Sequence, residues 1–288
     1  MIQELTRFQQ FLAQHPLASR NILGAWKRWL RWQVGSRLLS APVIMPWLEG
    51  SSLVVETGMT GATGNLYCGL HEFNDMALVL HLFGGGPGMF LDVGANIGSY
   101  SVLAAKVCGA SVIALEPVPE TFNKLTRNLL SNGIQDRVEA HRAAVGDVRG
   151  SLNFSADRDT MNQVVGDDYH GASIRVQVVT LDNLLEGRTA QAWKVDVEGY
   201  ERQVLAGAAK ALSDTGLAMV LLEGEDAEIK NTMRSHGFEE LRYDAFRRRF
   251  SAAAGELTIG NHVWVRNREQ VEKRCQAARQ FKLHNVEF

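Results

Sequence analysis

From about residue 89 to residue 225, short apolar runs bounded by turn residues alternate with segments in which apolar side chains recur every three or four positions. That is the pattern of successive βα units: an α/β, Rossmann-like fold with a mostly parallel sheet and helices on both faces. Strands are expected at Met89–Val93, entered through the glycine-rich turn 84–88, at Ser111–Leu115, and over 138–144, 192–196 and 218–222. A helix over 100–107 stops at Gly109, and a second opens at Pro119 with Phe122, Leu125 and Leu129 on one face and Gly133 past its end. Between the third and fourth strands, 146–185 reads as an insertion with its own hairpin, because Ile174, Val176 and Val178 alternate.

The flanks differ from this core. Residues 1–50 form a helical N-terminal arm in which Trp26, Trp29 and Trp32 repeat at helical spacing, with six basic side chains against two acids, Glu4 and Glu49. Such a helix either meets a membrane surface or partner, or packs its tryptophans on the core, and the packing reading is preferred. Residues 51–88 are read as a hairpin, built from Leu53 to Glu56 and Asn65 to Tyr67 around Gly58, Gly61 and Gly64, and a helix leading into the core. The core spans 89–266, and 267–288 is a C-terminal helical tail.

Composition narrows the class. The chain has 288 residues, 45% apolar and 22% charged, which suits an ordinary globular protein with a sizeable core. A formal net charge of −2 argues against nucleic acid as partner. Cys68, Cys108 and Cys275 are too dispersed for a zinc or iron–sulfur motif and read as buried thiols. No secretory signal and no membrane-spanning apolar run is visible, so a cytoplasmic protein is expected.

Chemistry concentrates where strands end, because open α/β sheets bind ligands at their carboxyl edges. Asp92-Val93-Gly94-Ala95-Asn96-Ile97-Gly98 turns from the first strand into a helix, where glycines admit a ligand and unpaired N–H groups face it. A dinucleotide fingerprint would need glycine at Asn96 and Ser99. Asp92 suits the ammonium of an amino-acid moiety better than a pyrophosphate, which favours S-adenosylmethionine over NAD. Glu116, 22 residues after Gly94, can accept hydrogen bonds from both hydroxyls of a ribose. Lys194-Val195-Asp196-Val197-Glu198 leaves the fourth strand with Lys194 and Asp196 on one face. Asp196 is expected to orient an acceptor hydroxyl, kept ionised by Lys194, with Glu198 or His71 as base. No metal site is assigned; Asp196 and Glu198 with Glu223 as oxygen ligands of Mg²⁺ is the alternative. Arg247 to Arg249 reads as a solvated charge run, with a substrate phosphate or carboxylate as the lesser reading.

Phe90 to Gly98, Leu115-Glu116-Pro117, Thr180-Leu181-Asp182 and Lys194 to Gly199 follow one another as in the FkbM family of S-adenosylmethionine-dependent methyltransferases, which the chain resembles over about residues 65 to 265. The resemblance implies a class I methyltransferase fold over 89–266. By it Asp92, Gly94, Asn96 and Gly98 hold the methionine end, Glu116 the ribose and 143–145 the adenine, with Ser99, Tyr100, Pro117 and Ala144 also at the cofactor and Asp196 within reach of the cofactor's amino group or the acceptor hydroxyl. No acid stands after the third strand to bind the adenine amine, so backbone and apolar contacts, or Asp147, would do so. It further implies O-methylation of a sugar, glycan or glycosylated natural product. A nicotinamide oxidoreductase and a non-catalytic cofactor-binding module are the rivals, and oligomeric state is not legible.

Overall fold

The computed structural model describes residues 2–38, 41–155, 169–224, 226–253 and 261–288. Residues 156–168 of the expected insertion and Gly260 lie outside them. Helix α1 (Ile2–Gln14), a 3₁₀ turn and helix α2 (Ile22–Leu38) form the arm. Its aromatic residues pack inward: Phe8 meets Trp26 edge-on at 5.1 Å and Tyr67 at 5.6 Å, and Trp32 is buried with Leu53, Val55 and Met59.

Strands β1 (Val43–Pro46) and β2 (Ser52–Val55) pair antiparallel. This differs from the expected hairpin, since Asn65 to Tyr67 belong to helix α3 (Thr60–Cys68). Gly58 does lie in a turn, at φ +92°, but Gly64 serves close packing instead. A Cβ on Gly64 would lie 2.5 Å from the His71 ring. Helix α4 (Phe73–Phe83) is buried almost throughout, as its nearly continuous apolar sequence requires.

The core elements follow: β3 (Met89–Val93), α5 (Ser99–Val102) running into a π-helical turn, β4 (Ser111–Leu115), α6 (Pro119–Asn132) and β5 (Val138–His141). The strand expected over 138–144 is interrupted after His141. Ala144 and Val145 form β6 in a second, three-stranded sheet with β7 (Gly150–Ser155) and β8 (Ser173–Val179). β7 and β8 are the insertion's hairpin, with Phe154 opposite Ile174. Then come α7 (Leu181–Leu185), β9 (Ala192–Val195), α8 (Glu201–Ala206), α9 (Ala209–Ser213), β10 (Met219–Leu222), α10 (Ala227–Ser235), β11 (Glu239–Asp244), β12 (Arg249–Ala252), β13 (His262–Val265) and α11 (Arg268–Ala277).

The central sheet runs β12-β11-β13-β10-β9-β3-β4-β5. From β5 to β10 all neighbours are parallel, and β13 returns antiparallel beside β10. The first strand of the parallel set, β3, lies between β4 and β9, which makes the β3–β9 junction the topological switch point of a doubly wound sheet. Strand alternation divides the core, with Phe90 and Val112 facing one apolar layer and Leu91, Ile113, Trp193 and Trp264 the other.

Two readings of the C-terminal region change. The tail is helical only through α11, after which β14 (Lys282–Leu283) and β15 (Val286–Glu287) form a hairpin turned at His284 and Asn285, both at positive φ. Arg248 does not belong to a solvated run. It is buried at φ +53° and donates to the carbonyls of Cys275, Ala278, Arg279 and Phe288, bracketing the chain end. Arg247 pairs with Asp244. All three cysteines are free, Cys68 and Cys275 buried and Cys108 half-buried, and burial pushes each thiol up to about 12. No helix among the described residues is long and apolar enough to cross a membrane.

Candidate active site

The switch point is built on close backbone contact. Gly94 has φ +77°, and a Cβ there would lie 1.8 Å from the carbonyl oxygen of Asp196, so only glycine fits. Gly94 N and Ala95 N both donate to Leu115 O, and Asp196 N donates to Val93 O at 3.0 Å, so the ends of β3, β4 and β9 are tied together. Buried Asn128 on α6 adds a clamp: it accepts from Val54 N at 2.7 Å and donates to Ile97 O at 2.8 Å, joining the hairpin to the turn. A cavity of about 430 Å³ opens above these strand ends.

Three zones of different chemistry line it. At the end of β4, Glu116 is 6% exposed, and its two oxygens accept from Asn96 N and Val118 N, each at 3.0 Å. Burial pushes its carboxyl up to about 7 despite those two bonds. Each oxygen keeps a lone pair for a ligand. Beyond it Val118, Ala144 and Phe154 make an apolar wall continuous with Val176 and Val178. Phe154 comes from β7 of the second sheet, whose position over the strand ends no local sequence signal marks.

The third zone is charged. Lys194, almost fully buried on β9, donates to Asp196 Oδ2, and its ammonium lies 5.1 Å from the centre of the Tyr100 ring. Burial opposes the charge on Lys194, but Asp196, Glu72 and Asp92 together outweigh it and hold the ammonium protonated. Burial likewise opposes ionisation of Asp196, and Lys194 overcomes it, keeping that carboxyl below its ordinary value. The proton is held instead by Glu223, which burial and the neighbouring Asp196, Glu198 and Glu201 push up to about 8. Glu198, at φ +53° in the turn before Gly199, is raised by partial burial and by Asp196. Oxygens of Asp196, Glu198 and Glu223 lie within 4.8 Å of one another.

Of the residues expected to form the site, all but Gly98 and the alternative adenine partner Asp147 line this cavity. Gly98 shapes the turn, at φ +85°, and lets Leu125 approach to 2.4 Å of where its Cβ would stand. Asp92 is present but partly committed, since its Oδ2 accepts from Ser101 N at 3.1 Å and Ser101 Oγ at 2.6 Å. Ser99 Oγ accepts from Asn65 Nδ2, and Tyr100 donates to Glu72 Oε2 at 2.7 Å. His71 is kept neutral by burial, its Nδ1 without a hydrogen-bond partner among the described residues. Asp147 does not line the cavity. Glu72 and Asp75, at the start of α4, are the acids the sequence did not point to. Asp75 accepts from Asn261 N at 2.7 Å and is pushed up to about 7 by burial and by Glu72.

Several carboxyls, Asp92 and Glu198 among them, ionise late in the folded state and set a pH dependence. Asp75, Glu116 and Glu223 bind protons more tightly folded than unfolded, so their contribution to stability is lost as pH rises through about 7 to 8. Histidines act the other way: burial lowers His81 to about 3 and His284 to about 4, and stability is lost as pH falls below their unfolded value near 6.5. The melting temperature of the ligand-free protein is expected to rise as pH is lowered from about 8.5 to 6.5 and then to level off. A Tm that instead climbs steadily with pH across this range would show these carboxyls to be ionised in the folded protein.

An apolar slot, a carboxylate able to take a diol, and a charged end form the polarity sequence of an adenosine group with an amino-acid tail. A dinucleotide fits less well. Asn96 N is already committed to Glu116, and the carboxylates would repel a pyrophosphate.

The methyltransferase FkbM domain profile matches residues 92–240, just over half of the chain. Hexuronic acid methyltransferase AglP of Haloferax volcanii is 31% identical over 132 residues, which cover 45% of this chain and 53% of that protein. The chain thus spans about half the length of this curated relative. Among solved structures, P. horikoshii TYW2 in complex with MeSAdo shares 24% identity over 37% of each chain, with a TM-score of 0.30. A SAM-dependent methyltransferase from Agrobacterium tumefaciens shares 10% identity, covering 69% of this chain and 58% of that one, with a TM-score of 0.43. The fold assignment therefore rests on the strand order and the domain match.

Proposed function

The chain belongs to the FkbM methyltransferase family, and from that premise we propose that it moves a methyl group from S-adenosylmethionine to a hydroxyl oxygen of a sugar or glycan. The observation that carries this reading is Glu116, a buried carboxylate oriented by two backbone N–H groups between an apolar wall and a charged cluster. Glu116 takes the ribose hydroxyls, Val118, Ala144 and Phe154 the adenine, and the free oxygen of Asp92, beside the turn that Gly94 and Asn96 shape, the amino-acid end. Bound there, S-adenosylmethionine supplies a methyl carbon on a positively charged sulfur. Asp196, held ionised by Lys194, accepts the hydrogen bond of the acceptor hydroxyl and aligns its oxygen, which accounts for most of what the protein must supply. Glu198, raised by burial and by Asp196, is the better matched base. The hydroxyl acceptor is supported by the cluster of carboxylates, and the sugar class by the likeness to a hexuronic acid methyltransferase.

Incubation with S-adenosylmethionine and hexuronic acid glycosides, followed by mass spectrometry, is expected to show the gain of one CH₂ on the acceptor. Absence of any methylated product across neutral and acidic sugars, despite cofactor binding, would overturn the acceptor class. The adenine assignment has its own test. Phe154→Ala removes one apolar face, and S-adenosylmethionine binding should weaken by about 1 kcal/mol, roughly five-fold, in calorimetric titration. Unchanged affinity would move the adenine elsewhere.

A further inference from the structure

Helix α2 carries apolar side chains on two opposite sides, and only one side is covered. Ala25, Trp26 and Trp32 face α1, α3 and the hairpin, and Arg28 fastens the helix by donating from Nε and Nη2 to Tyr67 O. On the other side Leu23, Leu30, Val34 and Leu38 are 81%, 57%, 53% and 77% exposed. They account for four of the seven large exposed apolar side chains among the described residues, so the exposure is concentrated rather than scattered. At 3.6 residues per turn the four fall within an arc of about 80°. Lys27 lies inside that arc, Arg31 and Arg37 flank it, and all three are exposed. No acidic residue occurs anywhere between Ile22 and Leu38.

We propose that this face of α2 docks the protein on the surface of an anionic lipid bilayer. The leucines and Val34 would sit at the boundary of the acyl chains, while Lys27, Arg31 and Arg37 extend their stems along it and keep their charges at the headgroups. Charge decides the occupant. A second copy of the chain would bring the same three cations against themselves with no acid to offset them, whereas an anionic surface complements them. The helix is seventeen residues long and charged, so it lies in the interface and does not cross. Because Arg28 holds α2 to the end of α3, whose Asn65 lines the cavity, the docked helix is fixed to an element of the active site.

The test is flotation of the full chain with vesicles of phosphatidylcholine alone, or of phosphatidylcholine and phosphatidylserine in about a 7:3 ratio. The protein should float with the phosphatidylserine vesicles, at least ten times more weakly with phosphatidylcholine alone, and should be released at 0.5 M salt, roughly. Leu23→Gln combined with Leu30→Gln and Leu38→Gln should reduce flotation at least ten-fold, and Lys27→Glu with Arg31→Glu should abolish the preference for phosphatidylserine. These residues are exposed, and an unchanged melting temperature and circular dichroism spectrum establish that each variant is folded. Failure of the protein to float, or flotation unaffected by both variants, would overturn the proposal. So would a dimer in solution that the leucine variant converts to monomer while vesicles leave the protein free, since that assigns the face to a second copy. No methyl transfer is needed for any readout, so failure here leaves the proposed function untouched.

Discussion

Replacing Glu116 with alanine is expected to weaken S-adenosylmethionine binding at least ten-fold, and by as much as about a hundred-fold, in calorimetric titration. The lower bound follows from losing two hydrogen bonds to a carboxylate, each worth about 1.5–3 kcal/mol at most, with water partly compensating in an open cavity. The upper range reflects a second loss. Without the carboxylate, Asn96 N and Val118 N have no acceptor, and the glycine turn and the start of α6 lose the group that joins them. Glu116→Gln retains one acceptor oxygen and should fall between wild type and alanine. The wild type carries an independent signature. Burial holds the Glu116 carboxyl near 7, whereas the diol donates best to the ionised form, so affinity should improve as pH rises from about 6 to 8. In Glu116→Ala that dependence should flatten. A folded alanine variant with wild-type affinity would remove Glu116 from the cofactor site, and tight binding of NAD to the wild type would return the oxidoreductase to consideration.

The parts of the fold legible in the sequence were those whose signals are local. Met89–Val93 and Ser111–Leu115 are short apolar strands closed by Gly94 and by the Glu116-Pro117 turn, and they pair in register as parallel neighbours. Helix α6 likewise begins at a proline and ends at a left-handed glycine. Where tertiary contacts decided, local rules failed. Asn65 to Tyr67 looked like a strand among turn glycines, yet Gly64 is small because His71 packs on it within a helical region. The strand beginning at Val138 reads too long because no glycine or proline marks the change of sheet after His141, and Ala143 to Val145 resume an apolar run beyond Arg142. Arg248 read as surface because its neighbours are charged, while its positive φ turns it to the carbonyls of the chain end. At the site, the residues following β3, β4 and β9 could be anticipated because strand ends converge at a switch point. Glu72 and Asp75 could not. Glu72 raises Lys194, and Lys194 lowers Asp75, across more than a hundred residues of sequence, and only the packing of α4 brings them together.

Asp196→Asn is expected to lower kcat at least 100-fold while leaving the fold intact and changing cofactor affinity far less. The substitution preserves shape and removes one charge, and that charge has two dependents. Lys194 loses its direct partner, though Glu72 and Asp92 still surround it, so the ammonium stays protonated and the buried lysine does not unfold β9. Glu223 loses the neighbour that, after burial, does most to raise it, so its pKa should fall from about 8 toward the ordinary carboxylate range. An acceptor hydroxyl then faces an amide that can donate as well as accept, and its oxygen is no longer held on one line with the methyl carbon. Positioning and proton acceptance of this kind contribute about 10²-fold or more, which sets the size of the expected loss. The shift of Glu223 separates this role from a structural one: the residual activity should show its pH dependence displaced to lower pH, which a merely loosened site would not produce. Retained turnover would remove Asp196 from the reaction. Activity abolished by EDTA and restored by Mg²⁺ would make Asp196, Glu198 and Glu223 oxygen ligands of a cation rather than a hydrogen-bonding cluster, since their oxygens already lie within 4.8 Å of one another.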